Sequence, residues 1–144
     1  MANLGAAERQ CLRTTLGVLA AGYAVTFLVA VLLHVGMEIP LGFAVLEEPR
    51  RPVAVLVEGV AGLLLGLGAL AILARRTWAW AAVTGAHAVA LAGVGWGMVA
   101  VAAGRGPHTQ LNDTYHRVMV VLLAGTLLLL LTPLGRTSLG REHK

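Results

Sequence analysis

The sequence predicts an all-α integral membrane protein, a four-transmembrane-helix up-down bundle with short loops. Of its 144 residues, 58% are hydrophobic and only 12% are charged, whereas soluble domains carry about 25% charged residues. The mean hydropathy is +0.79. Four apolar stretches each approach or exceed the roughly 20 residues that a helix needs to cross a bilayer. A single domain, residues 1–144, is therefore expected, with spans at about residues 14–36, 53–74, 78–103 and 114–132.

The first stretch, residues 14–36, is interpreted as a retained span. Its apolar core is longer than the 7–15 apolar residues of a secretory signal, and no small-residue cleavage site precedes a soluble domain. The connection that follows contains three prolines around the short apolar segment 41–46. That segment is too short to span, so we expect it to lie in the interface or to fold back onto the bundle.

The later spans are separated by short connections. Only residues 75–77 separate the second span from the third, which predicts an antiparallel hairpin. Gly62 and Gly66 in the second span, and a row of alanines and glycines in the third, form faces on which helix backbones can approach closely. We expect these two faces to meet. Asn112 or Asp113 is a plausible N-cap for the fourth span.

The distribution of basic residues predicts the orientation. With the N-terminus in the cytoplasm, seven of the 11 Lys and Arg residues lie on the cytoplasmic side and four on the other, as the positive-inside rule requires. We therefore expect a multi-pass protein of the bacterial cytoplasmic (inner) membrane with cytoplasmic N- and C-termini. The net charge of +4 then reflects topology, and the partner of the basic residues is the lipid bilayer rather than nucleic acid.

Glu58 is the only charged residue between Pro52 and Arg75. A charged side chain at the bilayer centre costs about 2.5–3.5 kcal/mol on insertion scales, and less near the interface, so it normally faces protein or water. Glu58 precedes Gly62 by four residues and shares its helix face, which directs the carboxylate into the bundle. It is therefore the first candidate for a functional group.

Polar side chains near the predicted outer face form a candidate ligand- or ion-binding cluster. Asp113 and His116 share a helix face, and Glu58 lies about 8 Å below the start of its span. Two imidazoles and several carboxylates could gather there and bind a divalent metal. In the structural alternative, Asp113 caps a helix and pairs with Arg117, and Glu58 pairs with Arg117 or an imidazole, or is protonated. The cluster comprises Glu58, His34, Glu38, Asp113, His116 and Arg117.

The histidines provide two further hypotheses. His34 and His116 lie at similar predicted depths on different helices, so they could hold a haem iron or a metal ion between them. His87 lies about 22 Å from the outer end of its span and cannot join them. We expect His87 to form a hydrogen bond between helices, with a role as a proton relay as the alternative.

Three functions compete. The first is an accessory or assembly component that packs against another membrane protein or associates with itself, without a cofactor. The second is a small oligomeric transporter or channel that uses Glu58 as its proton- or cation-binding group. The third is a haem- or metal-binding redox protein that uses His34 and His116. The sequence contains no catalytic nucleophile motif, and its single cysteine, Cys11, excludes Cys-pair redox motifs, which argues against an enzyme.

Overall fold

The computed structural model describes residues 5–106 and 108–140, whose regular secondary structure is helical apart from one short strand pair. Four of the helices are long and apolar enough to cross a membrane, judged by length and composition. Between 22% and 39% of the most apolar window of each is buried inside the molecule, so much of their apolar surface faces outward. The five helices of this part of the chain are α1 (Ala6–His34), α2 (Pro52–Leu73), α3 (Ala79–Ala102), α4 (Gln110–Leu131) and α5 (Pro133–Leu139).

Helix α1 begins at Ala6 rather than at the predicted residue 14. The Glu8 carboxylate accepts a hydrogen bond of 2.8 Å from the Gly5 N–H and thereby caps the first turn. The polar residues of the first turns are consequently helical. The 29-residue helix is about 44 Å long, well beyond the roughly 30 Å of a hydrocarbon core.

Helix α4 begins at Gln110 rather than at the predicted residue 114. Its N-cap is Thr109, whose Oγ1 accepts the Asn112 N–H at 3.1 Å, so the prediction of Asn112 or Asp113 as the cap is wrong. The Thr109 hydroxyl also donates to the buried Glu48 carboxylate at 2.5 Å. This bond ties the α1–α2 connection to the start of α4.

Helix α5 has no counterpart among the predicted spans. Thr132 follows α4, its Oγ1 accepts the Gly135 N–H at 3.1 Å, and Pro133 occupies the first helical position, where the missing proline N–H is not needed. The Arg13 Nε–H donates to the Ser138 carbonyl at 3.0 Å. Helix α5 therefore packs against the first turns of α1.

The connection between α1 and α2 contains a small antiparallel strand pair, β1 (Ile39–Pro40) and β2 (Val45–Leu46). Phe43 lies in the turn between the strands and is 91% exposed. The Arg51 N–H donates to the His34 carbonyl at 3.0 Å. The last residue of α1 and the residue before α2 are thus held together, and the connection begins and ends at one point.

Helices α1, α2 and α3 end with the same hydrogen-bond pattern. In each, the second residue after the helix is left-handed, with φ of 92° at Gly36, 55° at Arg75 and 70° at Gly104. The next N–H then reaches back to the last turn, for example from Arg76 to the Ala71 carbonyl at 2.9 Å. A non-glycine residue in this conformation costs roughly 1–2 kcal/mol. Among these three helix ends, only that of α2 carries a side chain at the left-handed position.

The glycines of α2 pack mainly against α1 and not, as predicted, against the small residues of α3. A Cβ at Gly62 would lie 3.1 Å from the Phe27 Cβ of α1, and one at Gly68 would lie 3.1 Å from the Val83 Cα of α3. Six residues of helix rotate the side-chain direction by about 240°, so these two glycines serve different neighbours. Two buried apolar clusters fill the interior, one centred on Ile72 and the other on Leu65.

Candidate functional site

A buried pair, Glu58 and His34, lies where α1 ends and α2 begins. The His34 Nδ1 is 2.9 Å from the Glu58 Oε2 and 3.0 Å from the Ala30 carbonyl oxygen. Because both neighbours are acceptors, Nδ1 carries the hydrogen and donates to both. The side chains are almost fully enclosed, with 5% of His34 and 6% of Glu58 exposed. Glu58 is thus paired with an imidazole and not with Arg117.

The close approach of α1 and α2 explains why these two side chains meet. Glycine at position 62 brings the two backbones together, since a Cβ there would lie 3.4 Å from the Ala24 carbonyl oxygen. The hydrogen bond from the Arg51 N–H to the His34 carbonyl fixes the two helix ends beside each other. Glu58, seven residues further along α2, then reaches His34.

The pair lines a cavity of about 430 Å³ at the end of the molecule where α1 and α3 end and α2 and α4 begin. Apolar side chains of α1, α2 and α3 form most of its wall, among them Phe27 and Val57. Val53 and Trp96 form part of the wall and are also 68% and 65% exposed on the outside. The polar side chains that line the cavity are His34, Arg51, Glu58, Arg105, Asn112, Tyr115 and His116.

Helix α4 supplies the opposite wall through Tyr115 and His116. The His116 Nδ1 lies 2.8 Å from the Asn112 carbonyl oxygen and therefore donates to it. A Cβ at Gly97 would lie 2.5 Å from the His116 Nε2, so glycine at this position makes room for the imidazole. The Tyr115 ring contacts the Phe27 ring edge to face, with centroids 6.3 Å apart.

The Tyr115 hydroxyl is a polar group without a partner. Its oxygen is buried and forms no hydrogen bond within residues 5–106 and 108–140. An unsatisfied buried hydroxyl costs about 1–3 kcal/mol. The Tyr115 side chain lines the same cavity as Glu58.

The other members of the predicted cluster lie elsewhere. Glu38 is exposed between α1 and β1. Asp113 lies 3.9 Å from the exposed His108, which replaces the predicted pairing with Arg117. Asp113, Arg117 and one side of His116 border a second pocket of about 190 Å³. The structure thus brings Glu58, His34 and His116 around one cavity and leaves Glu38, Asp113 and Arg117 outside it.

His87 is fully buried in α3, apart from the cavity. Its Nδ1 donates to the Val83 carbonyl at 2.8 Å, and its ring contacts the Tyr23 ring edge to face at 5.6 Å. The Nε2 of His87 and the hydroxyl of Thr84 have no hydrogen-bond partner in the described part of the chain. The expected hydrogen bond to another helix is not formed. A role as a proton relay stays a prediction.

The predicted metal or haem centre has two histidines on the same cavity. His34 and His116 each donate from Nδ1 to a carbonyl of their own helix, which leaves Nε2 as the nitrogen able to ligate iron. Within the described residues, no group of three or more His, Cys, Asp or Glu side chains is placed to hold a metal ion. If such a group were bound, His34 and His116 would be the residues to hold it, each through Nε2.

Four polar residues of the cavity were not anticipated from the sequence: Arg51, Arg105, Asn112 and Tyr115. Asn112 lies four residues before His116, and Tyr115 lies three residues after Asn112. A helix extended back to residue 110 would have placed Asn112 near the face that carries Tyr115 and His116. The two arginines lie outside the helices, where residue spacing does not predict the direction of a side chain.

No protein-family model, curated protein or solved structure matches the chain.

Proposed function

We propose that this chain is a small polytopic protein of the bacterial cytoplasmic membrane, with α1–α4 running alternately up and down and both termini in the cytoplasm. Four helices of sufficient length and apolarity support membrane insertion, as does their largely outward-facing apolar surface. The excess of basic residues at the end that holds the termini supports the orientation. The 430 Å³ cavity then opens at the outer end.

The cavity is the proposed working site, and its ligand is a small, uncharged, lipophilic molecule that carries a hydroxyl or carbonyl group. The observation that carries this proposal is the buried Glu58–His34 pair, which lines a mostly apolar cavity together with Tyr115, whose hydroxyl has no partner among the described residues. Apolar walls with a few convergent polar groups are typical of small-molecule sites. A bound carbonyl or hydroxyl satisfies Tyr115, and the apolar walls take the rest of the ligand.

A positively charged ligand fits this cavity less well than a neutral one. Arg51 and Arg105 both line it, and their charges repel a cation. Glu58 is already engaged by the His34 N–H, so a cation would have to compete with an existing hydrogen bond. We therefore assign proton binding to the Glu58–His34 pair rather than to Glu58 alone, and we do not retain the predicted cation site.

The Glu58–His34 pair can take up a proton from water when a ligand binds. With a neutral imidazole the pair carries one negative charge, and uptake of one proton by His34 makes it a neutral ion pair. Net charge inside a low-dielectric site is costly, so a neutral ligand that displaces water favours the neutral form of the pair. The site is thus suited to a molecule that is bound, or carried, together with a proton.

Ligand binding is tested by extraction of the protein purified from its native membranes, followed by mass spectrometry of the extracted small molecules. Ala100→Phe fills the cavity, because Ala100 lines it. Gly95→Phe on the same helix is the matched control, since a side chain at Gly95 meets nothing within 4 Å. One lipophilic compound should accompany wild type and Gly95→Phe, and be depleted at least several-fold from Ala100→Phe and Glu58→Gln. Its absence from wild type would overturn the proposal.

A haem iron or metal ion held between His34 and His116 is the second candidate function. It is favoured by their shared cavity and by their Nδ1–H bonds, which orient both rings. The absorption spectrum and metal content of the same purified protein decide it. A chromophore or metal lost from both His34→Ala and His116→Ala supports this function. The accessory or assembly role remains a prediction that co-purification of a stoichiometric partner would support.

A further inference from the structure

A second site lies at the opposite end of the molecule. The first turns of α1, the α2–α3 connection and the end of α5 surround a pocket of about 220 Å³. No aspartate or glutamate among the described residues lines it. The basic residues that line it are Arg9, Arg13, Arg75 and Arg76.

Neutral groups hold two of these guanidinium groups in place. Arg13 donates to the carbonyls of Ser138 at 3.0 Å and Gly140 at 3.3 Å, and the Arg75 Nη2 donates to the Gln10 side-chain oxygen at 3.1 Å. These acceptors fix the direction of the two side chains without cancelling their charge. Each guanidinium has five N–H donors, so donors remain for a further acceptor.

Arg75 has a left-handed backbone conformation, which favours glycine. Its φ of 55° matches the left-handed residues Gly36 and Gly104 at the ends of α1 and α3. The chain uses glycine at those two equivalent positions and retains arginine at this one. A strained residue next to a pocket is a reason to look for a function of its side chain. The Arg75 side chain lines the basic pocket.

We propose that this basic pocket binds a phosphate group, presented by an anionic phospholipid or as a free phosphate anion. Guanidinium groups match phosphate oxygens in bidentate geometry, and Arg13, Arg75 and Arg76 line a pocket to which the described residues contribute no acid, so an anion is the ligand that complements them. The lipid source rests on the proposed membrane placement, in which α1 is long enough for its arginine-bearing first turns to reach the headgroups. Basic pockets between helices on the cytoplasmic side are typical headgroup sites.

The experiment measures the melting temperature of the delipidated protein in a non-ionic detergent by tryptophan fluorescence. The additives are dihexanoyl phosphatidylglycerol, dihexanoyl phosphatidylcholine, inorganic phosphate, and sodium chloride at matched ionic strength. A ligand that binds only the folded state raises the melting temperature in a saturable way. Phosphatidylglycerol should raise it by several degrees and phosphatidylcholine should not. A saturable shift with inorganic phosphate beyond that of chloride assigns the site to free phosphate, and a shift with the lipid alone assigns it to the headgroup.

Three variants test which residues are responsible. Arg75→Gln combined with Arg76→Gln should reduce the shift to less than half, whereas Arg50→Gln, an exposed arginine at the other end of the molecule, should leave it unchanged. Arg75→Gly should also weaken the shift, while the melting temperature without additive stays the same or rises, which separates binding from folding. Equal shifts in wild type and the double variant, or with both lipids, would overturn the proposal. The ligand proposed for the cavity around Glu58 is tested by a separate measurement, the mass spectrometry of co-purified small molecules. Either proposal can therefore fail while the other holds.

Discussion

Glu58 is stabilised in the interior because His34 directs an N–H at its carboxylate. The sequence identified the glutamate and its helix face, but its partner depends on how α1 and α2 are rotated against each other. That rotation follows from the contact of Gly62 with Phe27 and Ala24. Of the predicted cluster, Glu58, His34 and His116 share a cavity. Tyr115 also lines this cavity, but nothing in the surrounding sequence distinguishes it from an aromatic residue at the membrane interface.

Removal of one partner of this pair should destabilise the protein more than removal of both. Glu58→Ala leaves a buried imidazole N–H with only the Ala30 carbonyl, which should lower the free energy of unfolding by about 1–3 kcal/mol. Glu58→Gln retains an acceptor and should lower it less. Thermal unfolding in detergent measures the effect in a double-mutant cycle with His34→Ala. Strictly additive effects would show that the two side chains do not interact.

The glycine beside His116 gives a second prediction at the scale of single residues. Gly97→Ala places a Cβ 2.5 Å from the His116 Nε2, so the imidazole has to move, at a cost of about 1–3 kcal/mol. Gly95→Ala on the same helix meets open space and should be neutral or slightly stabilising, because alanine favours helix. The melting temperatures of the two variants are compared. If Gly97→Ala is as stable as Gly95→Ala, the packing described for His116 is wrong.

At the scale of helices, the four long elements were predictable, and so were the bounds of α2 and α3 to within one residue, whereas the first residues of α1 and α4 were not. Long apolar runs predict helices directly, because a backbone in lipid has to satisfy its own hydrogen bonds. Ends depend on single side chains, as the capping of α1 by Glu8 and of α4 by Thr109 shows. Helix α5 escaped prediction because it is short and polar and is stabilised by Thr132 and by contact with α1.

Thr109 links two elements, and its replacement should loosen both. Its hydroxyl accepts the Asn112 N–H and donates to Glu48. Thr109→Val removes both bonds with little change in shape, which should lower the free energy of unfolding by about 1–2 kcal/mol. Thr109→Ser keeps the hydroxyl and should restore most of this loss. Hydrogen exchange at the start of α4 should increase in the valine variant alone, and equal exchange in both variants would contradict the capping role.

At the scale of the whole molecule, the two polar sites lie at opposite ends of the helices. The cavity around Glu58 is near the α1–α2 connection, whereas the basic pocket adjoins the first turns of α1 and the end of α5. The apolar length between them comes from helices of 22–29 residues. In the proposed orientation the two sites face different compartments, so the orientation determines which solutes reach each of them.

The single cysteine makes that orientation testable in intact cells. Cys11 is exposed near the start of α1 and is predicted to be cytoplasmic. A membrane-impermeant maleimide should therefore label it only after the cells are opened. In a Cys11→Ser background, Phe43→Cys places a thiol in the exposed turn between β1 and β2 and should be labelled in intact cells. The reverse labelling pattern would place both termini outside.

The exposed wall of the cavity determines the route by which a ligand reaches it. Val53 and Trp96 belong both to the cavity and to the outer surface of the helices, so in a bilayer these side chains lie between the site and the acyl chains. A lipophilic compound partitions into the bilayer and reaches a local concentration far above its aqueous one. The membrane then acts as the reservoir, and a site with weak intrinsic affinity is filled at low total concentration. Selectivity is thereby set first by solubility in lipid and only afterwards by hydrogen bonding.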